Sequence, residues 1–180
     1  MENTSPFWNE SRRAMLSMGL FVWSFLLLLF SVGIPALRDV AWVTFDPQGA
    51  SCLPWSAFIV KPGRPTGIRR GELLVFYDKR IQPAIGSSAW QSTPIVKMVV
   101  GVPGDRVEIQ HGGIWINGRY WGRMWLMKFL KNMGLHDHEP DDYRVPQGKY
   151  LMLGTTPASY DGRYWGLVPQ QEFVGQAWPL

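Results

Sequence analysis

The chain has 180 residues, 46% of them hydrophobic, 14% aromatic and only 18% charged, which suits one domain with an appendage and excludes a disordered chain. Its 18 basic and 14 acidic residues give a formal charge of +4, and the basic residues are scattered; this fits work beside an anionic membrane and argues against a nucleic-acid partner. A single cysteine excludes an internal disulfide, a Cys-rich zinc site and an iron–sulfur centre.

Ala14 to Leu37 is a run of 24 residues without charge. At ~1.5 Å per residue it reaches about 36 Å, enough to cross a hydrocarbon core of ~30 Å. It is longer than the apolar region of a cleaved signal peptide and has Pro35 near its exit, so it reads as a retained anchor. Arg12 and Arg13 precede it, whereas Arg38 is followed at once by Asp39. The positive-inside rule then predicts a cytoplasmic segment 1–13, a transmembrane anchor 14–37 and an extracytoplasmic domain 38–180. Trp42 is placed to lie at the headgroup level.

The domain reads as mainly β. Phe58-Ile59-Val60, Glu72 to Tyr77, Ile95 to Val100 and Arg106 to Ile109 are β-branched or aromatic runs bounded by turn residues. Ile114-Trp115-Ile116 followed by Asn117-Gly118 predicts a hairpin, because Asn-Gly suits a type I′ turn. Tyr150 to Leu153 and Phe173-Val174 complete the set. One segment has a helical period: over 122–133, Trp125, Leu126, Phe129, Leu130 and Met133 share a face, which predicts a short amphipathic helix resting on the outer leaflet or on the sheet.

Few residues offer chemistry. Cys52 lies in a turn-prone connection, where a lone thiol is either buried and inert or presented as a nucleophile. Lys97 interrupts an otherwise buried run and shares a face with Ile95 and Val99. An ammonium is costly there, which favours the neutral amine, the form that serves as general base for a hydroxyl or thiol; an edge strand would instead let the lysine reach solvent. Asp161 and Arg163, with Ser159, alternate on one side of an extended chain and could pair to brace a site, although alone they read as a surface ion pair. His136-Asp137-His138-Glu139 falls in a polar loop, and adjacent ligands define no coordination geometry, so no metal is expected. Nothing in the histidine spacing supports a Cys–His dyad.

Taken together, these residues resemble the type I signal peptidase family and, within it, the TraF-type branch of conjugative transfer. The resemblance runs through nearly the whole chain: an anchor, Cys52-Leu53-Pro54, then Lys97-Met98-Val99-Val100-Gly101-Val102-Pro103-Gly104-Asp105, Asn117-Gly118, and a final box from Gly154-Thr155-Thr156 through Ser159-Tyr160-Asp161-Gly162-Arg163-Tyr164-Trp165-Gly166. Two features depart from it. Cys52 stands where the branch has serine in Ser-x-Pro, while the broader Ser-x-x-Pro pattern selects Ser51. Gly154-Thr155-Thr156 stands where signal peptidases have Gly-Asp-Asn.

The resemblance implies a signal-peptidase-like β catalytic domain facing the membrane surface. Cys52 or Ser51 would be the nucleophile and Lys97 the base. Ser159 would orient the lysine, Asp161 and Arg163 would brace it, and the backbone N–H at the nucleophile would contribute to an oxyanion hole. It implies no cofactor and no metal. It further implies a propilin substrate in a bacterial inner membrane, cleaved and joined head to tail in the periplasm, with conjugative type IV secretion components as partners. A plain leader peptidase and a non-catalytic assembly factor are the alternatives.

Overall fold

The computed structural model describes residues 6–46, 52–77, 94–126, 140–157 and 159–180. The apolar N-terminal run is helical: α1 (Pro6–Leu28), a π-helical turn (Leu29–Gly33) and α2 (Ile34–Arg38). Pro35 stands in the first turn of α2, directly after the π turn. Arg13–Arg38, about 39 Å at ~1.5 Å per residue, is the one helix among the described residues long and apolar enough to cross a membrane.

The chain divides into two units, Met1–Val40 and Ala41–Leu180. The second is built on antiparallel strands. These are β1 (Trp42–Phe45), β2 (Ala57–Pro62), β3 (Leu73–Phe76), β4 (Ile95–Gly101), β5 (Arg106–Gln110), β6 (Gly113–Ile116), β7 (Arg119–Arg123), β8 (Asp142–Arg144), β9 (Lys149–Leu153), β10 (Val168–Pro169) and β11 (Phe173–Pro179). One sheet runs β1-β2-β11-β3-β4-β9-β10 and the other β7-β6-β5-β8. Every strand read from the sequence is present, β7 is the second arm of the expected hairpin, and β1, β8 and β10 are added to them.

Alternation of side chains sets what each face does. Leu73 and Val75 of β3 enter one core with Leu53, Phe58, Val60 and Ala177. Leu74 and Phe76 point the other way, into a core with Val99, Met152, Tyr164 and Phe173. A third core, with Val107, Ile114, Ile116, Leu151 and Leu153, includes residues of both sheets. At the β1 end one face is uncovered: Val43 opposes Ile59, Ile59 opposes Trp178, and all three are exposed, as is Phe45. Trp42 does not share that exposure; it opposes Val60 and packs on the core.

Asn117 and Gly118 have φ of 52° and 74°, and Ile116 opposes Arg119 across them, so the two-residue turn has the two positive-φ positions a type I′ hairpin requires. Over 122–126, the part of the expected helix that is described, this hairpin takes the place of the helical period. Gly122 and Arg123 finish β7 against Ile114 and Gly113, the Met124 N–H donates to the Gly112 carbonyl, and 124–126 are not helical. Residues 127–133 of the expected helix lie outside the described residues.

Candidate active site

β4 is an interior strand, flanked by β3 and β9, so Lys97 has no open edge from which to reach solvent. Its side chain is buried, 3% exposed, on the face shared with Val99 and Ile95, and opposite Leu74. Burial of an amine demands a partner. Lys97 Nζ donates to Ser159 Oγ at 3.1 Å, across 62 positions of sequence. Ser159 is itself fully buried.

Cys52 lies in the connection before β2, buried at 8% exposure, with Leu53 anchored in the core below it. Its carbonyl accepts from the Thr155 N–H at 2.9 Å. Gly154 makes the junction between this loop and the lysine. A Cβ there would lie 2.5 Å from the Cys52 carbonyl oxygen and 2.7 Å from Ser159 Cβ, and would collide with Ser159 Oγ. Only glycine lets the Cys52 loop and the Ser159 segment approach this closely. The sequence points weakly to such a residue, as a glycine directly after the buried strand β9. Ser51, the other candidate nucleophile, lies outside the described residues.

The Asp161–Arg163 pair is not a surface ion pair on an extended chain. Asp161 caps a short helical turn, α3 (Gly162–Trp165), accepting from the Arg163 N–H at 3.1 Å, and both side chains are buried. Asp161 Oδ2 also accepts from the Gly154 N–H at 2.7 Å and lies 3.5 Å from Arg163 Nη1. Arg163 Nη2 donates to the Gly154 carbonyl at 2.8 Å, and its guanidinium sits 5.8 Å from the Trp121 ring centroid. Both polar groups of the Gly154 backbone are therefore held by this pair. Arg163 Nε is buried without a hydrogen-bond partner.

Below the lysine strand, Asp105 closes the Gly-Val-Pro-Gly-Asp turn. It is paired with Arg70 through Nε at 2.7 Å and through Nη2, and accepts from the Val102 N–H at 2.8 Å and Asn117 Nδ2 at 2.9 Å. Burial pushes its carboxyl up, but the Arg70 hydrogen bond, the Val102 and Asn117 donors and the charge of Arg70 outweigh it and hold the group below the usual carboxylate range. Arg70 and Thr155 are the residues that sequence reasoning missed. Among the described residues no His/Cys/Asp/Glu cluster could hold a metal, and His136 and His138 lie outside them.

A buried amine bonded to a hydroxyl thus lies one glycine away from a loop that carries a thiol. A family profile described as signal peptidase, peptidase S26, matches residues 20–179. The chain belongs to that family. It is 30% identical over 116 residues to a probable signal peptidase I-2 of Synechocystis, covering 62% of this chain and 49% of that protein. It is 29% identical over 131 residues to signal peptidase IB of Staphylococcus aureus, covering 63% of each. A solved signal peptidase I from Enterococcus faecalis is 23% identical, covers 62% of this chain and 97% of that one, and superposes with a TM-score of 0.38. The chain thus spans between about half and less than two thirds of the length of these curated relatives.

Proposed function

We propose that this protein is a membrane-anchored endopeptidase that cleaves precursor polypeptides at the outer surface of a bacterial inner membrane, using Cys52 as nucleophile and Lys97 as base. The observation that carries this is the buried Lys97–Ser159 pair, brought against the Cys52 loop through Gly154. Lys97 in its neutral form takes the thiol proton as sulfur attacks the scissile carbonyl. The ammonium then gives that proton to the departing amine, leaving a thioester on Cys52. Water, losing its proton to Lys97, attacks the thioester and releases the acid and the thiol. Ser159 positions the amine, and the Asp161–Arg163 pair fixes the Gly154 backbone that separates the two halves of the site. The N–H at the nucleophile serves the developing oxyanion. The anchor over 14–37, with Arg12 and Arg13 on the cytoplasmic side, supports a periplasmic domain, and the exposed Val43–Ile59–Trp178 row supports its work beside lipid.

The thiol favours a second reading, the maturation of a conjugative pilin. A thioester prefers attack by an amine over attack by water, and a bound pilin N-terminus at high effective concentration would close a head-to-tail peptide bond and regenerate the thiol. Intact masses of a candidate precursor, incubated with wild-type protein and with Cys52→Ala, Ser51→Ala and Lys97→Ala, test both readings. Cleavage that needs Cys52 and Lys97 is expected. A linear product identifies the hydrolase, and one lighter by a water the cyclase. Cleavage lost only with Ser51→Ala moves the nucleophile by one residue, and full turnover by Lys97→Ala refutes the mechanism.

A further inference from the structure

Beside the lysine site lies a cleft of about 410 Å³, whose lining includes Tyr120, Trp121, Arg123, Trp125, Thr155 and Arg163. Its size is that of a small-ligand or peptide pocket. It is coupled to the candidate nucleophile through one residue, because the Thr155 N–H donates to the Cys52 carbonyl at 2.9 Å. Three of its walls are aromatic, and no acidic residue is among the described ones. Asp161 offsets the charge of Arg163, so the exposed Arg123 gives the cleft its net positive charge.

We propose that this cleft is a substrate subsite for a carboxylate carried beside an aromatic or large apolar side chain, with Arg123 as its charge partner. The proposal rests on the peptidase reading and deepens it. Guanidinium recognises carboxylate through paired N–H donors, and the indole and phenol faces of Trp121, Trp125 and Tyr120 cover the neighbouring side chain. The carboxylate is either an acidic side chain near the scissile bond or the C-terminus of the substrate. The second would mean a cut placed at a fixed distance from the end of the chain.

The test uses full-length Cys52→Ala protein in detergent and fluorescence anisotropy with three labelled peptides of one sequence ending in phenylalanine and a final residue. The peptides end in glutamine amide, glutamate amide and glutamine free acid. At least one carboxylate peptide is expected to bind about tenfold tighter than the neutral one. Arg123→Gln should abolish that preference while leaving the neutral peptide unchanged, and Arg123→Lys should retain part of it. Which carboxylate gains identifies its source. Equal behaviour of all three peptides, including no measurable binding, overturns the proposal, as does a preference that survives Arg123→Gln. Turnover of the same peptides by the wild-type protein is read separately: a preference without cleavage keeps the subsite and rejects the peptidase reading.

Discussion

Gly154→Ala adds a single methyl group at the junction of the site, and the structure fixes what it must displace. The new Cβ would stand 2.5 Å from the Cys52 carbonyl oxygen and 2.7 Å from Ser159 Cβ, where ordinary contact begins near 3.4 Å. The glycine cannot retreat, because Asp161 holds its N–H at 2.7 Å and Arg163 its carbonyl at 2.8 Å. The Cys52 loop or the Ser159 segment must therefore move by about 1 Å, a displacement that costs on the order of 100-fold in rate when it separates reacting groups. Overpacking of this kind also destabilises by roughly 1–3 kcal/mol. The assay pairs kcat/KM on a cleavable peptide with denaturant unfolding of the same preparation. The expected result is a rate loss larger than the stability loss explains, with the fold intact. Wild-type kcat/KM in a stably folded Gly154→Ala protein would refute the claim that this contact aligns the Cys52 loop with the lysine.

Two further outcomes follow from the same contacts. Ser159→Ala removes the hydroxyl to which Lys97 donates and should lower kcat by about tenfold or more with little change in KM, since the partner lost belongs to the base and not to substrate binding; an unchanged kcat would show that Ser159 does not position the amine. Asp105 is held below the usual carboxylate range in the folded state, so its contribution is complete above its unfolded value near pH 4 and fades as pH falls from there through the folded value. Asp105→Asn should cost about 2 kcal/mol at neutral pH and show a shallower loss of stability in acid than the wild type, and identical acid limbs in the two unfolding series would contradict that assignment.

The parts of the fold legible in the sequence are those decided locally or by burial. Asn117-Gly118 specifies its turn through two backbone angles that few other residue pairs accept. The buried strands β3 and β9 announce themselves as continuous apolar runs. Strands β8 and β10 are two or three residues long and exist because a distant partner, Arg106–Glu108 or Lys149–Tyr150, lies alongside. The segment 122–126 shows the same competition lost the other way: a helical period yields to the hairpin ladder that Asn117-Gly118 starts. Lys97 stood out because it breaks an apolar run, but the run alone does not tell an interior strand from an edge, which β3 and β9 decide by flanking β4. Its contact with Ser159 spans 62 positions, and no local signal carries it; only the resemblance to a family pointed there. Arg70 likewise meets Asp105 from 35 positions away, out of a stretch that already contains Arg64 and Arg69.

The place of β11 in its sheet has a consequence for biosynthesis. This strand, residues 173–179, is inserted between β2 and β3, which were made about a hundred residues earlier, and pairs with both. Until it emerges, β2 and β3 face an open slot with their N–H and C=O groups unmet on that side, which is the state most prone to capture by another chain. The core beneath the Cys52 loop is also incomplete, because Leu53 shares it with Ala177. The nascent protein therefore lacks the support that holds its candidate nucleophile in place. Any activity of the site therefore awaits the docking of β11, about a hundred residues after β2 and β3 are made.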